Sequence, residues 1–168
     1  FKQKTAYEIR LSLVGSEMCI RDRFWGKLPY PRSVSTWRVS GGMSTVLVVD
    51  DSAMLREMVS DVLRKSGLTV IQACDGIDAI EKIKANQPDL VVMDIVMPRM
   101  NGYELCRWIK KDWVKIDPQG RDIPVVMCST KNEEFDRYWG MKQGGDAYIA
   151  KPFHPAELIE TVQQLLKR

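Results

Sequence analysis

Short apolar segments alternate with longer amphipathic ones over residues 44–168. The apolar segments are rich in aliphatic residues and bounded by polar or turn-forming ones, which is typical of strands buried on both faces. The predicted strands are 46–49, 68–73, 90–93, 125–128 and 147–150. Between them, apolar residues recur at helical spacing. This alternation predicts an α/β fold with a doubly wound, five-stranded parallel sheet and five helices.

Local signals set the expected ends of the helices. Ser52 is suited to cap the first helix, and Pro155 is suited to the first turn of the last one. The fourth helix is predicted over 132–143, where two glycines follow, and residues 112–122 are predicted to form a long polar loop. His154 precedes the last helix, so we interpret it as a helix-start residue rather than a catalyst.

Charge divides the chain near residue 43. Residues 1–43 carry eight Lys or Arg and three Asp or Glu, whereas residues 44–168 carry 17 and 19. The patterned region is therefore mildly acidic, and since it has no basic stripe we expect no nucleic-acid partner. Residues 1–43 are aperiodic, and we expect a leader outside the domain that is disordered or not native, with Met43 as the natural start. A basic targeting or partner-binding tail is the alternative.

The cysteines and the single histidine argue against a zinc site. His154 is the only histidine, and the four cysteines have no CxxC spacing. We interpret the cysteines as reduced thiols of a cytoplasmic protein. No apolar run reaches the length that a membrane-spanning helix needs, so no membrane insertion is expected. The cysteines are Cys19, Cys74, Cys106 and Cys128.

Polar residues follow four of the predicted strands at their carboxyl ends. Asp50 and Asp51 follow the first strand, Asp94 the third, Ser129 the fourth and Lys151 the fifth. In a parallel sheet these ends line one crevice. Three carboxylates would repel each other there without a cation, and an all-oxygen site suits Mg²⁺. With a hydroxyl and an ammonium group beside them, the set fits a phosphoryl group. The simpler alternative is that Asp50 and Asp51 only cap the first helix.

The same positions carry a resemblance to a known family, the response-regulator receiver domains of two-component signalling. The matching motifs occur in the family's order and span the whole patterned region, 44–168. They are Val-Val-Asp50-Asp51-Ser, Asp94-Ile-Val-Met-Pro98 with Asn101-Gly102, Ser129-Thr130, and Tyr148-Ile-Ala-Lys151-Pro152-Phe153. The resemblance implies the flavodoxin-like strand order 2-1-3-4-5 that the chemotaxis relative CheY has.

The resemblance also implies a division of labour at the metal and phosphoryl site. Asp94 would accept the phosphoryl group and help to bind Mg²⁺. Asp51 would ligate the metal directly and Asp50 mainly through water. Val96 would offer its backbone carbonyl to the metal, and Lys151 would bind the phosphate.

Two further residues are implied as a conformational switch. Ser129 would be the hydroxyl that moves toward the new phosphoryl group, and Tyr148 would be the aromatic rotamer switch. The Lys151–Pro152 peptide bond is expected to be cis. Thr130, next to the switch hydroxyl, is interpreted as a local hydrogen-bonding residue.

The expected function is that of a single-domain response regulator without an output domain. A histidine kinase would phosphorylate it, and a face formed by the fourth helix, fifth strand and fifth helix would bind an output protein. The segment 137–144 resembles PilH-like regulators, which suggests chemotaxis or pilus motility. The fourth-helix residues Phe135, Tyr138, Trp139 and Met141 cannot all fit one buried stripe, so some are expected at the surface.

Two alternatives remain open at this stage, and a third is disfavoured. The protein could be a phosphate sink, or a binding module that works without phosphorylation. A phosphatase with an aspartate nucleophile would need an acid two residues after Asp94, where Val96 stands. We therefore expect a phosphoacceptor with self-catalysed transfer and hydrolysis, not a turnover enzyme.

Overall fold

The computed structural model describes residues 43–117, 119–130 and 134–167, without the side chains of Glu134 and Phe135. Within this part of the chain, five parallel strands form one sheet in the order β2-β1-β3-β4-β5. The predicted fold class and strand order are therefore confirmed. The strands are β1 (Thr45–Val49), β2 (Thr69–Ala73), β3 (Leu90–Asp94), β4 (Val125–Ser129) and β5 (Ala147–Ala150). The expectations about residues 1–42 lie outside the described residues.

In the part of the chain that the structure describes, five helices connect or follow the strands, as predicted. They are α1 (Ala53–Lys65), α2 (Gly76–Asn86), α3 (Gly102–Trp108, continued by a π-helical turn Ile109–Trp113 and by Val114–Ile116), α4 (Glu134–Lys142) and α5 (Pro155–Leu166). Polar side chains fix most of their starts. Ser52, Asp75, Asn101 and His154 each accept a hydrogen bond from a backbone N–H of the helix that follows. The interpretation of His154 as a helix-start residue is thus confirmed.

The three central strands are buried on both faces, which explains their unbroken apolar sequences. Residues 46–49 of β1, 90–93 of β3 and 125–128 of β4 are all at most 3 % exposed. Edge strand β2 is more open: of its residues, only Ala73 is buried. The polar groups at the carboxyl ends of β1, β3 and β4 therefore stand at the ends of fully buried strands.

One prediction about the connection after α3 is wrong. Residues 112–122 were expected to form a loop, but helical structure continues to Ile116. Trp113 is the reason: it is 3 % exposed, and its ring lies 6.3 Å from that of Trp108. Trp113 lies four residues after Ile109 and so continues the helical spacing of the buried residues Leu105 and Ile109 into the core.

The α4 surface bears out the expected partial exposure. Tyr138, Trp139 and Met141 are 55 %, 40 % and 45 % exposed. The side chain of Phe135 lies outside the described residues. Among the described residues, no helix combines the length and the apolar character needed to cross a lipid bilayer.

Candidate acidic site at the strand ends

The structure brings the three predicted carboxylates together. One carboxylate oxygen from each of Asp50, Asp51 and Asp94 lies within 4.8 Å of the others. The register explains the convergence: Val49, which precedes Asp50, pairs with Met93, which precedes Asp94. Asp50 is buried, Asp94 is half-buried and Asp51 is exposed, so the cluster opens to solvent on one side.

Lys151 lies among these carboxylates. Its Nζ donates a 2.7 Å hydrogen bond to Asp50 Oδ2 and lies 3.5 Å from Asp94 Oδ1. Its backbone N–H donates to the carbonyl oxygen of Ser129 at 2.6 Å, and the Lys151–Pro152 bond is cis, as expected. The ammonium group thus joins residues from two neighbouring strands and faces the predicted acceptor.

The charges in the cluster change the titration of both Asp94 and Lys151. Burial raises the pKa of Asp94, Asp50 raises it further, and Lys151 opposes the rise without cancelling it. Burial alone would lower the pKa of Lys151, but the attraction of Asp50 and Asp94 outweighs burial and raises it. Lys151 is therefore firmly protonated, whereas the ionised form of Asp94 is disfavoured by its surroundings.

The turn after β1 holds Asp50 from several sides. Its Oδ1 accepts from the backbone N–H of Ser52 at 2.9 Å, and its backbone N–H donates to the carbonyl oxygen of Ala73 at 3.2 Å. Arg56 Nη1 donates to the carbonyl oxygen of Asp50 at 2.6 Å. Sequence reasoning missed Arg56, because its hydrogen bond is to the backbone of Asp50 and no sequence motif indicates such a contact.

Gly102 brings the start of α3 against the backbone of Asp94. A Cβ atom on Gly102 would lie 2.3 Å from the carbonyl oxygen of Asp94 and 2.8 Å from the Cα of Ile95. The N–H of Gly102 donates to the carbonyl oxygen of Ile95 at 2.9 Å. Backbone cannot yield as a flexible side chain would, so only glycine fits here.

The two predicted switch residues are in contact. Ser129 is fully buried at the end of β4, and Tyr148 on β5 is 8 % exposed. Burial raises the pKa of Tyr148, while a hydrogen bond from the Ser129 side chain works in the opposite direction. Gly140 of α4 makes room for the ring, because a Cβ there would lie 3.1 Å from Tyr148 Cδ2.

Two neighbours of the site are weak candidates for chemistry. Cys128 pairs with Asp94 in the sheet, but burial raises the pKa of its thiol to about 12, so it stays protonated and a poor nucleophile. Thr130 is exposed, unlike the buried Ser129. Val96 lies two residues after Asp94 and is 54 % exposed. Its carbonyl role stays a prediction.

The donor chemistry of the site fits Mg²⁺. All three acidic residues offer oxygen, which hard divalent cations prefer, and the exposed Asp51 leaves a side open for metal-bound water. Asp50, Asp51 and Asp94 would hold the ion. Lys151 already supplies one positive charge to three carboxylates, so an excess of negative charge remains for a cation to balance.

The fold and the site together define a class: a flavodoxin-like α/β protein with an acidic, lysine-containing pocket at the carboxyl ends of β1, β3 and β5. Residues 46–163 match the family described as the response regulator receiver domain. The chain belongs to this family, whose members accept phosphoryl groups from histidine kinases and generally bind Mg²⁺ in an acidic pocket.

The proteins of similar sequence include transcriptional and DNA-binding response regulators. The alkaline phosphatase synthesis transcriptional regulatory protein PhoP of Bacillus subtilis is 36 % identical over 123 residues, covering 73 % of this chain and 48 % of that protein. The DNA-binding response regulator MtrA of Mycobacterium tuberculosis is 38 % identical over 123 residues, covering 73 % and 50 %. This chain thus spans about half the length of these relatives.

A solved structure of a chemotaxis protein is also similar. The chemotaxis response regulator CheY4 of Vibrio cholerae superposes with a TM-score of 0.66 at 31 % identity, covering 74 % of this chain and 99 % of that one. The relatives therefore include both DNA-binding and chemotaxis regulators.

Proposed function

We propose that this protein is a cytoplasmic phosphorylation switch. A histidine kinase supplies a phosphoryl group to Asp94, and the modified domain binds an output protein. The observation that carries the proposal is the placement of Lys151 Nζ, 2.7 Å from Asp50 and 3.5 Å from Asp94. A lysine held between the metal-binding acids and the acceptor is suited to contact an incoming phosphoryl oxygen.

The proposed transfer step uses Asp94 as the nucleophile. Its carboxylate oxygen attacks the phosphorus of a kinase phosphohistidine; the new O–P bond forms as the N–P bond breaks, and the imidazole leaves. Lys151 balances charge on the phosphoryl oxygens. Mg²⁺, held by the three carboxylates, would neutralise further negative charge during transfer. Water then hydrolyses the acyl phosphate, so the protein is modified and restored without turning over a separate substrate.

The switch step uses Ser129 and Tyr148. A phosphoryl group on Asp94 offers acceptor oxygens to the Ser129 hydroxyl. A hydrogen bond from Ser129 to the phosphoryl group then competes with the hydrogen bond that Ser129 makes to Tyr148. Loss of that bond changes the balance between positions of the Tyr148 ring and biases the face formed by α4, β5 and α5.

We propose chemotaxis or pilus motility as the setting, with output through protein contact rather than DNA. The exposed Tyr138 and Trp139 of α4 favour a protein partner. The relatives PhoP and MtrA favour a second candidate, the receiver part of a longer transcriptional regulator. The size of the endogenous protein on an immunoblot separates the two. A phosphate sink would take phosphoryl groups from the kinase without any output partner binding the modified form.

The test of the proposal is phosphotransfer from the histidine kinases of the source organism. Each kinase is labelled with radioactive ATP, mixed briefly with this protein and Mg²⁺, and resolved on a gel. We expect one kinase to transfer its label much faster than the others, and no transfer to Asp94→Asn. Absence of transfer from every active kinase would contradict the proposed partner class.

We expect the phosphoryl group to persist for minutes rather than seconds. The exposed Val96 side chain beside Asp94 cannot hydrogen-bond an attacking water, so nothing at that position assists hydrolysis. The decay of labelled protein is followed after removal of the phosphodonor, with Val96→Asn as the comparison. The amide of Asn can orient water, so this variant should lose its label faster. Equal lifetimes would assign water positioning to other residues.

A further inference from the structure

The loop between β3 and α3 contains a residue in an unfavourable backbone conformation. Arg99 has φ of +65°, and Gln87 is the only other non-glycine residue with positive φ in the described part of the chain. This left-handed region suits glycine, and other residues stay there only when their surroundings hold them. Glycine would fit this backbone conformation better than arginine. The presence of Arg99 therefore calls for a role of its side chain.

The side chain of Arg99 is paired with a buried carboxylate on another element. Its Nη2 forms an ion pair with Oδ2 of Asp75, whose side chain is only 2 % exposed. The other oxygen of Asp75 accepts hydrogen bonds from the backbone N–H groups of Ile77 and Asp78 at the start of α2. The pair thus joins the β3–α3 loop to the N-terminus of α2.

The next residue forms a second contact between the same two elements. Met100 lies so close to Gly76 that a Cβ there would be 2.6 Å from its Cγ. Arg99 and Met100 together therefore attach the tip of the loop to the first residues of α2. We call these four residues, Asp75, Gly76, Arg99 and Met100, the loop clamp.

The clamp closes a loop whose base is already fixed at the site. The backbone N–H of Gly102 donates a hydrogen bond to the carbonyl oxygen of Ile95, and Gly102 packs on the backbone of Asp94. The two ends of the loop therefore meet beside Asp94. Val96, the expected backbone ligand of Mg²⁺, lies between this base and the clamp. Backbone that must present a carbonyl to a metal needs a fixed orientation, and groups outside the ligand set usually provide it.

We propose that Arg99 is a positioning residue that sets Mg²⁺ affinity by clamping the β3–α3 loop to α2 through Asp75. The inference rests on the proposed Mg²⁺ role of the acidic site. It explains why a charged residue occupies a position where glycine would relieve the backbone: the ion pair with Asp75 fixes the loop.

Arg99→Gly separates the side chain from the backbone conformation, because glycine adopts the same φ without strain. Asp75 keeps its two backbone hydrogen bonds, so the variant should fold. We expect its Mg²⁺ dissociation constant to rise about tenfold, the lower end of the loss seen when a group supporting a metal ligand is removed. Amide chemical shifts of ¹⁵N-labelled protein, followed during Mg²⁺ titration, give the constant without any phosphorylation.

Two comparisons isolate the clamp. Asp75→Asn keeps a capping side chain but loses the charge, so it should match Arg99→Gly, and the double variant should be no weaker than either single one. Gln87→Gly places glycine at the other residue with positive φ. Gln87 lies between the end of α2 and the start of β3, at the opposite end of the strands from the acidic site. It should bind Mg²⁺ as the wild type does.

The outcomes distinguish this inference from the function on which it rests. Wild-type affinity in Arg99→Gly, or an equal loss in Gln87→Gly, overturns the clamp while leaving wild-type metal binding and phosphorylation in place. A wild-type protein that binds no Mg²⁺ and accepts no phosphoryl group overturns the proposed function itself. Weakened binding in Arg99→Gly and Asp75→Asn alone supports the clamp.

Discussion

Asp94→Asn should abolish phosphorylation by acetyl phosphate in the presence of Mg²⁺. Asparagine keeps the size of the side chain and an oxygen that can accept the hydrogen bond from the Ile95 N–H, but its amide is not a nucleophile toward phosphorus. We expect labelling to fall about a hundredfold or more, because nothing replaces the attacking atom of a covalent step. Intact-protein mass spectrometry measures the fraction that gains one phosphoryl group.

Asp61→Asn is the matched control for this loss. Asp61 lies on α1, its side chain is 54 % exposed, and it pairs only on the surface with Arg64. The control should be labelled like the wild type. Full labelling of Asp94→Asn at another residue would show that Asp94 is not the acceptor. Labelling of the wild type without Mg²⁺ would show that the reaction does not require the metal.

Much of the candidate site could be predicted because the sheet itself positions it. Asp50, Asp94 and Ser129 end or follow the central strands, whose aliphatic sequences mark them as buried. Once those strands are parallel and adjacent, their carboxyl ends must meet. The strand order had another source. The residue pattern predicts five parallel strands, whereas the order 2-1-3-4-5 is implied by the resemblance to a family.

The residues that sequence reasoning missed act through the backbone or across loops. Arg56 contacts a carbonyl oxygen, which any residue possesses, so the sequence around Asp50 contains no partner signal. Arg99 and Asp75 are far apart in the chain and meet because two loops lie at the same edge of the sheet. The orientation of Tyr148 was also beyond the sequence, since it depends on the space that Gly140 leaves.

The loop predicted over 112–122 is wrong at its start. Trp113 lies four residues after Ile109 and eight after Leu105, so it continues the helical spacing of these buried residues. The three polar residues before it, 110–112, mask that continuation in the sequence. Helical structure therefore extends to Ile116, with Trp113 in the core.

Asp94→Asn should also make the metal-free protein more stable at neutral pH. Burial and the nearby Asp50 raise the pKa of Asp94, so its ionised form costs free energy in the folded state. Asparagine carries no charge and avoids that cost. We expect Asp94→Asn to gain about 1 kcal/mol in the free energy of unfolding, a common size for a stabilising substitution. Urea denaturation with a chelator present measures it.

The pH dependence gives this prediction its sign. Because the pKa of Asp94 is higher in the folded than in the unfolded state, folded wild-type protein binds the proton more readily. Wild-type stability therefore falls relative to the variant as pH rises from about 3.8, the unfolded value, through the folded pKa, and the gap stays constant above it. Asp61→Asn should show no such gap. A gain of the same size on the acid side of that window would trace the effect to packing instead of charge.

Added Mg²⁺ should reverse the order of the two proteins. A ligand that binds only the folded state stabilises it by RT ln(1 + L/Kd), where L is the free ligand concentration, and the wild type has one more carboxylate for the cation than the variant. The charge whose burial weakens the metal-free wild type is thus the same charge that helps to bind the ion. If Mg²⁺ stabilised both proteins equally, Asp94 would not be a ligand, and the cost of its charge would need another purpose.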